Sequence, residues 1–302
     1  VRTKHTHGAH AVTDHEEEQM AKGSRTTATA STTVTETTAV KDRTIVASPR
    51  DLIRVVPLFV PETLTKDTAE AAAAVAAAPP KLTYRNGPML SSVQVFTVFW
   101  GATWQSGAPQ QLAGSLNQFF DDILTSSLMD QLAEYDTGSF KVGHGKRIGT
   151  TTIATPQLRR SVTDSAIQHW LQHEIATNSA VPPVSPNTLY FIFLPPGVSV
   201  VQGGGMSCHV FCGYHDQING QIFYAVMPYA NCQGCLGNLS ALDALTSTSS
   251  HELSEAITDA IPGRGWYDDN HGEIGDICAW QTKAIGNHVV QLEWSNRAGK
   301  CI

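Results

Sequence analysis

The stretch Ser250-His-Glu-Leu-Ser-Glu-Ala-Ile-Thr-Asp259 sets His251 and Glu255 four residues apart, with Glu252 between them. On a helix, side chains at that spacing share a face, so one imidazole and one carboxylate can chelate a single cation. Both groups are ordinary Zn²⁺ ligands. Glu252 is then placed to take a proton from a bound water. A third ligand is on offer just downstream. The segment "GWYDDNHGEIGDIC" supplies Asp268, Asp269, Asn270, His271, Glu273 and Asp276, with Glu273 and Asp276 lying 18 and 21 residues after Glu255. The chemistry this implies is metal-assisted hydrolysis, with His251, Glu255 and one of Glu273 or Asp276 holding the ion. The same letters also describe a helix with one hydrogen-bonded histidine and two solvated glutamates. An all-oxygen set around one histidine suits Ca²⁺ or Mn²⁺ as well as Zn²⁺.

A second stretch with chemical potential is "GGGMSCHVFCGYHD", Gly203 to Asp216. The three glycines permit a close backbone approach or a mobile flap. His209 and His215 flank Cys212. His215 is a candidate catalytic group, as a ligand or proton donor beside the acidic segment. The competing reading makes it a structural histidine beside a disulfide. A Cys212 nucleophile paired with His215 is a third option and needs a free thiol.

The six cysteines, Cys208, Cys212, Cys232, Cys235, Cys278 and Cys301, all fall in the last 95 residues. An even, clustered set points to disulfides in an oxidising compartment. A zinc ribbon built from "CHVFC" and "CQGC" is the rival, and it leaves Cys278 and Cys301 over. Proximity along the chain favours bridges Cys232–Cys235 and Cys208–Cys212, and a shared C-terminal position favours Cys278–Cys301. Asn238-Leu239-Ser240 is an N-glycosylation sequon, as expected of a secreted glycoprotein.

The elements that must position these residues follow from periodicity. "VQVFTVFW", "TLYFIFLPPG", "QIFYAVMPY" and "HVVQLEWS" read as strands, the third following an Asn219-Gly220 turn. "PQQLAGSLNQFFDDILTSSLMDQLAEY" reads as a helix, and "VTDSAIQHWLQHEIA" as another, capped by Thr163 or Asp164. "SALDALTSTSSHELSEAITDAI" is a long helix that stops at Pro262-Gly263, with an apolar face of Leu242, Leu245, Leu253, Ala256 and Ile257. Interspersed helices and strands predict an α/β or α+β fold, a mixed sheet with flanking helices.

The chain has 302 residues, and its composition is uneven. Residues 1–80 hold one aromatic, Phe59, of 23 in the chain, so they cannot bury a core of their own. They read as a low-complexity tail: His5, His7, His10 and His15, a Thr-rich tract, the segment Thr44–Pro61 that can dock as a pro-segment, and an alanine-rich linker ending at Pro80. Residues 81–302 read as a single globular domain. Residues 1–80 carry 9 basic and 10 acidic side chains and residues 81–302 carry 11 and 17, with no basic block. That balance excludes nucleic acid and an anionic membrane surface as partners, and no apolar run is long enough to span a bilayer.

Two resemblances add to this reading. "HELSEAITD" is similar to the active-site helix of thermolysin-like peptidases, which have histidine where Glu255 stands and take an acid downstream as third ligand. More widely, "LTYRNGPML", "VFWG", "CHVFCGYH", "CQGC", "SHELSEAITD", "GWY" and "EIGDIC" resemble the Exordium, or phosphate-induced protein 1, family over residues 82–302, although that family commonly has histidine in place of Arg85. The resemblance implies secretion to a cell-wall space and one fold unit. The expectation is a secreted, monomeric, zincin-like metallopeptidase acting on a peptide or protein. The alternative is a non-catalytic extracellular binding or signalling protein with a Ca²⁺-stabilised acidic cluster.

Overall fold

Strands that are apolar on both faces need a packed layer on each side. In a computed structural model of the chain, residues 55–60 and 79–302 are described. The chain divides after Ala47, and all of these residues belong to the unit Ser48–Ile302. The Thr-rich tract, the histidines ahead of it and the alanine-rich run to Ala78 lie outside the described residues. Strands β1 (Val56–Pro57), β2 (Gln94–Trp100), β3 (Lys146–Ile153), β4 (Thr188–Phe193), β5 (Phe211–Ile218) and β6 (Ile222–Met227) form one mixed sheet in the order β1-β5-β6-β4-β2-β3. Neighbours from β6 to β3 run parallel, and β5 is antiparallel to both β6 and β1.

Alternate residues of β4 feed two cores. Leu189, Phe191 and Phe193 pack with Leu116, Phe119 and Phe120 of helix α1 (Gly107–Ile123). Tyr190 and Ile192 pack with Ile167, Trp170 and Leu171 of helix α2 (Asp164–Thr177), where Trp170 stacks on Trp100 at 3.8 Å. The Thr163 hydroxyl caps α2 by accepting the Ala166 N–H. The predicted α/β class with a mixed sheet and flanking helices is the observed one.

Four elements differ from the sequence reading. The helix expected to run to Tyr135 breaks after Ile123, because the Ser126 hydroxyl accepts the Leu128 N–H and starts a new short helix, Ser127–Leu132. The "HVVQLEWS" strand divides into His288–Gln291 and Trp294–Ser295. The cysteine-histidine stretch, where the glycines allowed a close backbone approach or a flap, runs into β5, which pairs with β1 at Phe211 and Gly213 and with β6 over residues 214–218 through a turn in which Asn219 and Gly220 both have positive φ, 55° and 68°. The fourth is the long helix, α3 (Ala241–Thr258), capped by Ser240, which ends four residues before Pro262. It lies between the sheet edge on one side and a hairpin, β7 (Thr282–Ile285) with β8 (His288–Gln291), on the other. Every residue from Ala244 to Thr258 is buried.

All six cysteines are in disulfides: Cys208–Cys232, Cys212–Cys235 and Cys278–Cys301. The expected Cys278–Cys301 bridge is present. The expected Cys208–Cys212 and Cys232–Cys235 bridges are not. Cys208 and Cys212 sit on one turn-and-strand segment and Cys232 and Cys235 on one helical turn, so the short Cα separations, 5.9 and 5.4 Å, are across the two segments rather than within them. This closes both the zinc-ribbon and the cysteine-nucleophile readings.

Candidate metal centre

The centre is assembled by α3, β5 and the loop after α3. His251, Glu252, Glu255 and Glu273 have no exposed surface, and His215 is 1 % exposed. The reading of Glu252 and Glu255 as solvated helix charges is thereby overturned: the hairpin and loop cover the helix face that water would otherwise wet. Gly213 of β5 permits the close packing, since a Cβ there would lie 2.6 Å from Thr248 Cγ2. Two residues further along the same strand, His215 reaches the centre.

The two carboxylates proposed as alternative third ligands take different partners. Asp276 Oδ1 lies 3.8 Å from His251 Nε2, and the Asp276 N–H donates to Glu255 Oε1 at 3.1 Å. Glu273 instead faces His215, with Nε2 at 3.2 and 3.3 Å from its two oxygens. Its own N–H donates to Asp276 Oδ2 at 2.9 Å, which ties the loop together. The remaining donors of the acidic segment do not enter. Asp268 accepts from the N–H groups of Lys81, Asn270 and His271, and Asp269 pairs with Arg85 at 2.8 Å. His209 is exposed.

His251 Nε2 is 2.9 Å from Glu255 Oε1, an ion-pair distance between residues one helical turn apart. Oε2 of Glu255 and Oδ1 of Asp276 find no hydrogen-bonding partner, and Glu252, fully buried, takes the His215 backbone N–H. Buried polar atoms are normally satisfied, and a cluster of orphans aimed at one region marks a missing partner. At this centre two sets of three potential ligand atoms each lie within 4.8 Å of one another: His251, Glu255 and Asp276, and His215, Glu252 and Glu255.

Burial lifts Glu252, Glu273 and Asp276 well above the ordinary carboxylate range, and the neighbouring Glu255 pushes each further. At His251, burial opposes the charged ring while Glu255 and its neighbours favour it strongly enough to raise its pKa. Gln291 pulls the other way. Its Nε2 donates to Gly275 O at 2.9 Å and contacts His251 Nδ1 at 2.8 Å, while its Oε1 accepts the Trp280 N–H at 3.3 Å.

Three participants had no clear sequence signal. Asp259, just past α3, accepts the N–H groups of Gly263, Arg264 and Gly265 and lies against Glu273. Glu293 is fully buried, feels both His251 and Glu255, and is raised well above its ordinary pKa, first by burial. Gln291 looks like any polar strand residue. A lone glutamate in "QLEWS" reads as the wet face of a strand; only the packing of the C-terminal segment onto α3 reverses that. The chain matches no protein-family model, no curated protein and no solved structure.

Proposed function

We propose that this centre binds a divalent cation through His251, Glu255 and Asp276 and that the protein is a secreted, zincin-like metal-dependent hydrolase acting on peptide bonds. The observation that carries the reading is the convergence of His251, Glu255 and Asp276 within 4.8 Å of one another, fully or nearly fully buried, with Glu255 Oε2 and Asp276 Oδ1 lacking any hydrogen-bond partner. Three sequence-local features support it: the chelating spacing on α3, the acidic loop behind it and the likeness of "HEL" to thermolysin-like helices. A bound Zn²⁺ would polarise the scissile carbonyl and acidify a water. Glu252 would serve as proton acceptor for a water on the cation. His251 would offer Nε2 to the cation, while Gln291, 2.8 Å from Nδ1, would hold the ring in place. The disulfides fit an oxidising compartment, and the resemblance to the Exordium family supports the cell-wall space.

Complete burial of the centre favours a second reading, a non-catalytic extracellular protein in which the cation is structural. Metal analysis and a peptidase assay separate the two. About one Zn²⁺ per chain, lost in His251→Ala, with hydrolysis falling about 10²–10⁴-fold in Glu252→Gln, supports the hydrolase. A bound cation without hydrolysis supports the structural reading. Protein that carries no cation after loading with Zn²⁺ or Ca²⁺ overturns both.

A further inference from the structure

Glu255 presents its two oxygens to two different imidazoles. Oε1 lies 2.9 Å from His251 Nε2, and Oε2 lies 3.7 Å from His215 Nε2. His251 comes from α3 and His215 from β5, so the carboxylate sits between ligands delivered by separate elements. We propose that the centre holds two divalent first-row cations bridged by Glu255, one on His251 and Asp276 and the other on His215 and Glu252. The proposal rests on the single-cation reading of the first triad and extends it.

In the first triad Asp276 Oδ1 has no hydrogen-bond partner; in the second, Glu252 is held by the His215 backbone N–H and turns its buried carboxylate toward the same region. Glu255 Oε2, orphaned as well, faces the second triad. The protein's own alternative for His215 is an ion pair with Glu273, but its Nε2 is spread over two oxygens at 3.2 and 3.3 Å. A charge-assisted bond settles on one oxygen at about 2.7–2.9 Å. Charge points the same way. Glu252, Glu255, Glu273, Asp276 and Glu293 are buried around the two histidines, and a second divalent cation offsets carboxylate charge that one alone leaves buried. One imidazole per site, with carboxylates for the rest, selects Zn²⁺, Mn²⁺ or Fe²⁺ over Ca²⁺ and Mg²⁺. A carboxylate bridge holds such a pair about 3.5–4 Å apart, the spacing of two-metal hydrolytic sites. In this arrangement Glu252 is a ligand of the second cation and no longer the proton acceptor.

The test loads full-length protein with Mn²⁺ and records its electron paramagnetic resonance, with metal counted by mass spectrometry. The expected result is a spin-coupled pair, which the scattered histidines of residues 1–15 would not produce. His215→Ala and Glu252→Gln should each abolish the coupling and lower the count by one while the His251 site stays loaded. Glu252→Gln is near-isosteric and guards against misfolding at His215. Uncoupled Mn²⁺ only, with a count unchanged in both variants, overturns the pair and leaves the single-cation reading intact. No Mn²⁺ or Zn²⁺ in the wild type overturns both.

Discussion

Burial and hydrogen bonding compete at Asp259. Burial raises its pKa to about 6, against the pull of three backbone N–H groups. The folded cation-free protein therefore keeps a proton that the unfolded chain releases near its ordinary 3.8. Stability from this group is fully present below that value and is lost as pH rises through about 6, a loss of about 3 kcal/mol for a two-unit shift. Glu252, Glu273, Asp276 and Glu293 are shifted in the same direction. The cation-free protein should thus melt at a higher temperature at pH 5 than at pH 8 in calorimetry, and cation loading should remove the difference. A second prediction concerns Gly275, whose Cβ would lie 2.7 Å from His251 Nδ1. Gly275→Ala should displace the ring and weaken cation binding about 10–100-fold by titration calorimetry, although it changes no ligand. The ligands on α3 and in the following loop were legible because they are close in sequence. Asp259, Gln291 and Glu293 were not, because their role depends on what a later segment covers.

The elements carry the same lesson. Strands with continuous apolar runs, such as "TLYFIF", declared themselves. β5 did not, because "FCGYHDQI" mixes a close-packing glycine, a half-cystine and a site histidine within one strand. Cys212 on β5 and Cys208 just ahead of it are each bridged to the Cys232–Cys235 turn, closing loops of just over 20 residues as adjacent rungs between the same two segments. Removing one with Cys212→Ala/Cys235→Ala should cost about 2–3 kcal/mol in denaturant unfolding, and removing both clearly more. Peptide mapping without reduction should recover the 208–232 and 212–235 pairs. Recovery of 208–212 or 232–235 instead would refute the arrangement.

At the scale of the whole molecule, the domain begins earlier than the composition of residues 1–80 implied. Val56 is 2 % exposed and sits opposite Gly213 on β5, the Phe59 N–H donates to Gly234 O at 2.7 Å, and the Trp280 indole N–H donates to Pro57 O at 2.8 Å. Burying Val56 alone is worth about 1.5–3 kcal/mol. A chain starting at residue 61 should therefore melt several degrees lower than the full-length protein, and its bared β5 edge should promote self-association, visible by light scattering. Composition missed this because one valine and one phenylalanine are enough to dock a strand, yet too few to register as a core. The pairing of β1 with β5 also has a consequence in time. Val56 is made about 150 residues before its partner Gly213. A contact that far apart in sequence forms late, because the loop it closes must first be brought in. The first described strand of the chain is thus among the last to be secured, and until then the edge it will cover stays open to a neighbouring chain.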